Sequence, residues 1–296
     1  MQPVQYPINL DRLTAAWEQY VDSGLIDPQI DPLVAMSWRR CRPMHNPRTA
    51  GNLPRLSAES LQSLLINHFN LIAVARPFME DIYQFVEGSG QIVVLLDASA
   101  CILEVLGDGD MRAKAAALGM QPGTYWDEGH AGTNAFGLAM LEGSPGQVIG
   151  AEHLFERFHA LACAAAPIFN SDGRPILILG LVSHAHHSEP HTLGAVYAAA
   201  RAIGTQIQAE QLFKEVNAQR TQLEATLEAI SGGLVVINAS GLVTEMNAIA
   251  AEILNLKYEA VVGRPLSEYV DLPAVVRESL RSQHLLNEVE VNFQVK

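Results

Sequence analysis

The sequence is short of basic residues, and this shortage argues against direct nucleic-acid binding. Its 19 lysines and arginines stand against 32 acidic residues, which gives a net charge of −13 over 296 residues. A nucleic-acid surface needs clustered cations that displace counterions, and this balance does not supply them. The one candidate basic patch is Trp38–Pro43 (WRRCRP), and we interpret its arginines as a solvated helix end.

Cysteines and long apolar runs are scarce as well. The three cysteines are widely spaced and form no CxxC pair, so the sequence predicts neither a zinc site nor a disulfide framework. The longest apolar run, Ile176–Val182, is too short to cross a bilayer, and the N-terminus lacks the features of a signal peptide. With 49% hydrophobic and 17% charged residues the chain is not disordered. We therefore expect a cytoplasmic protein with no membrane segment.

What the sequence contains is a succession of helical and strand patterns. Over residues 1–84 the apolar spacing predicts helices broken by prolines, a lead-in that packs on the domain after it. Residues 85–200 contain two β-hairpins with helices between them, which indicates an α+β domain on an antiparallel sheet. Each hairpin has two apolar segments joined by a short turn: Gln91–Asp97 with Cys101–Asp108, and Leu161–Phe169 with Pro175–Ser183.

One long helix is predicted from His191 to about Ile230, and we assign residues 201–230 to a connecting or dimerisation helix. Such a helix often joins two domains and pairs with its copy, which predicts a homodimer; the alternative is a helix packed only on its own sheet. We place its apolar residues near one stripe: Ile203, Ile207, Leu212, Val216, Leu223, Leu227 and Ile230.

A third hairpin, Gly233–Asn247, opens a second α+β unit over residues 231–296. The final strand, which starts at Glu288, would leave an open hydrogen-bonding edge, so we expect this unit to be incomplete. Between Gly233 and Arg281 the sequence has no histidine and no cysteine, which argues against a haem or another redox group. The sequence predicts no cofactor.

Three motifs together resemble a known family. They are Ser37–Cys41 (SWRRC), Trp126–Ala135 (WDEGHAGTNA) and Cys163–Phe169 (CAAAPIF). They are similar to the N-terminal sensory region of bacterial sigma-54-type enhancer-binding activators, which regulate acetoin catabolism or the dihydroxyacetone and glycerol operons. From Leu223 onward the chain resembles a PAS domain, and the run Leu272–Val276 is most similar to the dihydroxyacetone-operon type.

The resemblance implies a GAF-like sensory domain, a long connecting helix and a PAS-like unit, with no enzymatic activity. It further implies control by docking of dihydroxyacetone kinase subunits or, in the acetoin-type regulators, by a small molecule in the GAF domain. In that family an ATPase module and a helix-turn-helix follow. This chain has no GxxxxGK[ST] phosphate loop, so DNA would be bound only through a C-terminal module absent here.

The candidate site is the stretch Tyr125–Gly143 (YWDEGHAGTNAFGLAMLEG). In a purely structural interpretation it starts a helix, because Thr133 or Asn134 is placed to cap the residues that follow. Trp126 is then a packing anchor, and Glu128 accepts a local hydrogen bond. In the functional interpretation these side chains line a ligand cavity, whose predicted contacts are Trp126, Glu128, Asn134 and Cys163, with His130 as a further candidate.

Two other chemistries are weaker candidates. A thiol-dependent enzyme would use Cys163 with His153 or His159 as a base, but the apolar strand around Cys163 predicts burial and a high pKa. A cluster formed by His184, His186 and His187, with His191 beyond it, could hold zinc or nickel. We interpret that cluster as a solvated loop, and we predict no metal site and no catalytic residue.

Overall fold

The computed structural model describes residues 9–49, 51–189, 191–229, 232–282 and 294–295. The chain divides into two compact units, Met1–Gln211 and Leu212–Lys296. Both have α+β architecture, which confirms the predicted fold class. Within these described ranges, no helix combines the length and the hydrophobicity that a bilayer crossing requires.

The first unit is built on a five-stranded antiparallel sheet with the strand order β2-β1-β5-β4-β3. The predicted hairpins are β1–β2 and β4–β5, and the short strand β3 pairs with β4. The strands are β1 (Ile92–Asp97), β2 (Ile102–Gly107), β3 (Gly146–Ile149), β4 (Leu161–Phe169) and β5 (Pro175–His184).

Helices cover both faces of this sheet. The first unit contains α1 (Leu10–Ser23), α2 (Pro32–Cys41), α3 (Ala58–Asn67), α4 (Phe69–Val86), α5 (Gly109–Ala117), α6 (Glu128–Ala131) and α7 (Ala135–Glu142). Strand β1 shows the two faces directly, because successive side chains of a strand point to opposite sides. Ile92 and Val94 join a core with α1, α2 and α7, whereas Val93 and Leu95 join a core with α4 and the start of the long helix.

The long helix α8 spans Thr192–Ala229, close to the predicted bounds. Its predicted single apolar stripe is wrong. Ile203 and Ile207 are buried in the core of the first unit, whereas Leu212 and Val216 are exposed. The five-residue step from Ile207 to Leu212 turns the helix by about 140° beyond a full turn, so the two sets lie on different faces.

The second unit begins within α8, and after this helix comes the third predicted hairpin. Its further elements are β6 (Val235–Ile237), β7 (Val243–Met246), α9 (Ala248–Leu254), α10 (Tyr258–Val261), β8 (Val270–Asp271), α11 (Ala274–Ser282) and β9 (Gln294–Val295). Met246, Ala250 and Leu254 pack into its small core, and the side chain of Asn247 caps α9. The strand predicted from Glu288 lies outside the described residues except for β9, which pairs with β8.

Gly180 offers a test of how closely the sheet packs against α7. A Cβ atom at this position would overlap the ring of Phe136 and lie 3.2 Å from the carbonyl oxygen of Ala164. We expect Gly180→Ala to lower the free energy of unfolding by about 2 kcal/mol, the usual cost of overpacking a core. Gly146→Ala is the control, since its nearest neighbour would be the Cβ of Leu138 at 4.0 Å.

Urea denaturation of both variants measures the difference. Adding Phe136→Leu to Gly180→Ala should recover part of the lost stability, because the smaller side chain gives the new methyl group room. Equal stability of the two alanine variants would contradict this packing account.

Candidate functional site

The stretch Tyr125–Gly143 forms a junction between the sheet and α7. Asn134 is fully buried and caps α7: its Oδ1 accepts hydrogen bonds from the backbone N–H groups of Phe136 and Gly137, both at 3.0 Å. Its Nδ2 donates to the carbonyl of Gly132 at 2.8 Å. The predicted cap is therefore confirmed, and both ends of the Asn134 amide have partners within the junction.

A close approach at Gly137 holds this junction together. A Cβ at Gly137 would lie 3.1 Å from the backbone nitrogen of Glu128, so glycine favours the close approach of α7 to α6. Gly132, between the two helices, has a φ of +63°, in the region that favours glycine. These two glycines of the motif are explained by backbone geometry.

Aromatic rings fill the interior beside α7. The centroid of the Trp126 ring lies 5.8 Å from that of Phe136 and 4.9 Å from that of Phe158. All three side chains are fully buried, and the indole nitrogen of Trp126 donates to the carbonyl of Gly119 at 3.3 Å. Trp126 is thus placed as the packing anchor of this core. Its predicted role in ligand contact stays a prediction.

Glu128 is engaged by Arg40 from α2. The Nε of Arg40 donates to Oε2 at 2.9 Å and its Nη2 donates to Oε1 at 2.8 Å, a bidentate pair. The hydrogen bonds to Glu128 raise the pKa of the Arg40 guanidinium. A second carboxylate, that of Glu142, lies 3.3 Å from Nη1. The interpretation of the three arginines of Trp38–Pro43 as solvated is therefore wrong for Arg40.

Three further contacts tie α2 to this junction. The hydroxyl of Ser37 donates to Thr133 at 2.8 Å, His45 Nε2 donates to the carbonyl of Glu128 at 2.9 Å, and the Cys41 thiol donates to the same carbonyl at 3.9 Å. The SWRRC and WDEGHAGTNA motifs therefore meet in space. The amino-acid sequence alone does not predict this contact between the two motifs, because Arg40 and Glu128 are 88 positions apart.

Cys163 lies in the middle of β4 and is paired with Val182 of β5. It is fully buried, and burial raises the pKa of its thiol far above the ordinary value. Burial likewise raises the pKa of Cys41 to about 11 and that of Cys101 to about 12. Because the thiolate is the nucleophile, this environment does not support the thiol-enzyme alternative. A ligand contact by Cys163 stays a prediction.

The histidine cluster lies where β5 ends. Ala185–His187 form a 3-10 turn, and the ring centroid of His184 lies 5.3 Å from that of His186 and 5.9 Å from that of His187. In the part of the chain that the structure describes, no three histidine, cysteine or acidic side chains are grouped to hold a metal ion. His130 is exposed and pairs with Asp127.

His153 is the polar residue that sequence reasoning undervalued, since it considered this side chain only as a base for Cys163. The side chain is fully buried, and Nδ1 donates to the carbonyl of Gly150 at 3.0 Å. Nε2 is buried without a hydrogen-bond partner among the described residues. Burial lowers the pKa of the imidazole to about 4, and the neighbouring His159 adds to this shift.

Comparison with known proteins gives matches along nearly the whole chain. Residues 10–209 match the family described as MimR, N-terminal domain, and residues 221–296 match the PAS fold. The glycerol metabolism operon regulatory protein of Citrobacter freundii is 28% identical over 91% of this chain and 42% of its own length. The PTS-dependent dihydroxyacetone kinase operon regulatory protein of Escherichia coli K12 is 30% identical over 90% of this chain and 42% of its own length.

A solved structure, the E. coli DhaR(N)–DhaL complex, matches with a TM-score of 0.77 at 28% identity, over 90% of each chain. These matches confirm the resemblance to the sensory regions of dihydroxyacetone and glycerol operon regulators. The relatives are regulatory proteins rather than enzymes, which agrees with the expected lack of enzymatic activity. The chain spans about two fifths of the length of the curated relatives it matches.

The Arg40–Glu128 pair is open to a direct test. Removing Arg40 leaves the 7%-exposed carboxylate of Glu128 without its bidentate partner. We expect Arg40→Ala to cost about 2 kcal/mol of unfolding free energy, somewhat less than a fully buried pair because the guanidinium is 35% exposed. Arg39→Ala is the matched control: this neighbour is exposed, and its removal should change stability by less than about 0.5 kcal/mol. Similar losses in the two variants would contradict the role of the pair.

His153 predicts an acid-sensitive contribution to stability. The unfolded chain binds a proton at this position near pH 6.5, whereas the folded chain resists it down to about pH 4. The contribution of neutral His153 to the free energy of unfolding is therefore fully present above pH 6.5. It is lost as the pH falls towards 4, by about 3 kcal/mol in total.

The comparison with His153→Asn isolates this effect. Burial also raises the pKa of Glu152 to about 7, an opposing contribution that wild type and variant share. The stability difference between the two proteins, measured by denaturation at several pH values, should be constant above pH 7 and shrink or reverse towards pH 4. A difference that does not change with pH would exclude a buried neutral imidazole.

Proposed function

Because this chain belongs to the family of MimR N-terminal domains, we propose that it is the effector-sensing region of a transcriptional activator of dihydroxyacetone and glycerol metabolism. Docking of dihydroxyacetone kinase subunits regulates it. The likeness to the DhaR(N)–DhaL complex, over 90% of both chains, is the observation that carries this proposal. The kinase-operon regulator of E. coli, at 30% identity, supports it.

The interior of the GAF-like domain supports docking over capture of a small molecule. The rings of Trp126, Phe136 and Phe158 pack against one another beside α7. Of the predicted ligand contacts, Glu128 is held by Arg40 and Asn134 caps α7. An effector in this interior would have to displace these partners, whereas an effector on the surface would not.

Exposed apolar side chains give the docking proposal its candidate contacts. Ile66 and Phe69, three residues apart where α3 meets α4, are 65% and 68% exposed. Exposed apolar groups that lie together are typical of protein-binding surfaces. Phe85, near the other end of α4, is exposed as well and serves as a comparison.

The signal passes to the output module as a population shift. Binding of the effector favours one of two arrangements and biases the connecting helix α8. The chain acts as a homodimer through α8 and the PAS unit. A helix of 38 residues, Thr192–Ala229, is longer than one small domain needs. It can therefore both transmit the signal and contribute to the dimer contact.

The second candidate function is a small-molecule sensor of the acetoin type. One observation favours it: the buried Nε2 of His153 accepts no hydrogen bond from the described residues. Buried polar atoms are rarely left without partners, and the hydroxyl of a small ligand or of a buried water would satisfy this one.

The docking proposal is tested by titrating the 296-residue chain with separately purified dihydroxyacetone kinase subunits in a calorimeter. We expect at least one subunit to bind. The double variant Ile66→Ser/Phe69→Ser should weaken binding by roughly tenfold if these side chains are central contacts. Phe85→Ser, the matched control, should bind as wild type does.

The outcome that contradicts docking is no heat of binding with any subunit. Acetoin is then the probe for the second function, with thermal stabilisation as the readout. A shift in Tm that disappears in His153→Leu would favour the small-molecule sensor.

A further inference from the structure

The first two helices of the chain are both bound by one short segment after β3. In this segment Gly150–Glu152 form a 3-10 helix, which we name the anchor turn. The indole nitrogen of Trp38 in α2 donates to the carbonyl of Glu152 at 2.7 Å, and that of Trp17 in α1 donates to the carbonyl of Leu154 at 2.8 Å. Both helices therefore hydrogen-bond to backbone carbonyls at or just after the anchor turn.

The carboxyl group of Glu152 braces the anchor turn. Its Oε2 accepts a hydrogen bond from the backbone N–H of Ile149 at 2.8 Å, which joins the two ends of the turn. Among the described residues, Glu152 forms no ion pair with a lysine, arginine or histidine. An ionised carboxylate would therefore carry its charge in a half-buried position without a neighbouring cation.

A second carboxylate acts on Glu152 from the start of α2. Asp31 caps this helix, since its Oδ1 accepts a hydrogen bond from the backbone N–H of Leu33 at 2.8 Å. The positive end of a helix dipole favours a carboxylate, and Asp31 already occupies that place. Burial raises the pKa of Glu152 to about 7; the charge of Asp31 adds to this shift, and the hydrogen bond from Ile149 opposes it.

The groups around the anchor turn leave Glu152 as the one whose charge changes most between pH 6 and pH 8. Burial lowers the pKa of both neighbouring imidazoles, that of His153 to about 4, and raises the pKa of the tyrosine hydroxyl of α1 from its ordinary value of 10. The acidic and basic side chains of α1 are exposed. The titratable and charged groups on the neighbouring elements are Asp31, His153, His159, Glu156, Arg157 and Tyr20.

We propose that Glu152 is a proton switch that controls how firmly α2 packs on the first unit. With a neutral carboxyl group, the anchor turn and the start of α2 lie together without charge repulsion. When Glu152 gives its proton to water, two carboxylates meet at this contact, and α2 opens more often. Opening also separates Arg40 of α2 from Glu128, so the switch reaches the junction in front of α7.

The direction of the effect follows from the two states of Glu152. Its pKa is about 7 while α2 is packed, and release of the helix returns the carboxyl group towards its ordinary value of 4.5. The packed state therefore holds the proton more tightly. Its advantage is complete below pH 4.5 and is lost as the pH rises through 7. Between pH 6 and pH 8 the open fraction rises by roughly threefold to tenfold, the lower value applying where water at the half-buried side chain weakens the effect.

Alkylation of Cys41 measures the opening, because this thiol lies on α2 and is fully buried while the helix is packed. The 296-residue chain and its Glu152→Gln variant are treated with iodoacetamide at several pH values between 6 and 8. Peptide mass spectrometry gives the labelling rate of each cysteine. Dividing the wild-type rate by the variant rate at the same pH removes the ordinary increase of thiolate with pH. We expect this ratio for Cys41 to rise roughly threefold to tenfold from pH 6 to pH 8.

Two further variants test the identity of the groups. Glu156→Gln is the matched control, since it makes the same carboxyl-to-amide change at an exposed residue of the next turn, and it should keep the pH dependence of wild type. Asp31→Asn retains a side chain that caps α2 and removes the charge that acts on Glu152. Its labelling rate should therefore rise less with pH than that of wild type.

Three results would overturn the switch. The first is a wild-type to Glu152→Gln ratio that stays constant with pH. The second is labelling of Cys41 no faster than that of Cys163, because the thiol in the middle of β4 reports only global unfolding. If circular dichroism shows that Glu152→Gln does not fold, identical pH profiles for wild type and Asp31→Asn are the third.

Discussion

Burial of the central strands on both faces is the constraint on which the first unit depends. In β1 the side chains of Ile92 and Val94 enter one core while those of Val93 and Leu95 enter another. A sheet that is apolar on both sides needs a helical layer on each side. The N-terminal helices are therefore an integral part of the domain, because they cover the sheet. Helices α1 and α2 lie on one side of it, and α4 lies with α8 on the other.

The same constraint explains the partners of the buried polar groups in the Tyr125–Gly143 stretch. Glu128, Thr133 and Asn134 are buried, so each must find a partner where water is excluded. Asn134 finds the backbone of α7, and Glu128 finds Arg40. The buried carboxylate and the buried amide thus take part in joining three helices tightly. His153, whose Nε2 has no partner among the described residues, departs from this pattern.

The sequence predicts what depends on neighbouring residues, and fails where distant residues meet. Both hairpins of the first unit, the bounds of α8 and the cap at Asn134 follow from short-range patterns of apolar side chains, turns and capping groups. The Arg40–Glu128 pair does not, because 88 residues separate its members and nothing local distinguishes Arg40 from the exposed Arg39. The prediction of a single apolar stripe on α8 failed for another reason. The apolar residues of this helix lie on two faces, and their spacing in the sequence was read as one face.

Those two faces bear on how a sensory region can pass on a signal. One face of α8 is fixed by Ile203 and Ile207 in a core of the first unit, whereas Leu212 and Val216 on the opposite face are exposed. A packed helix is a stiff element, and packed interfaces change between discrete arrangements rather than deforming continuously. A change in how α8 sits on its own core must therefore move the outer face with it. Coupling of this kind needs only an effector that distinguishes two packings of one helix.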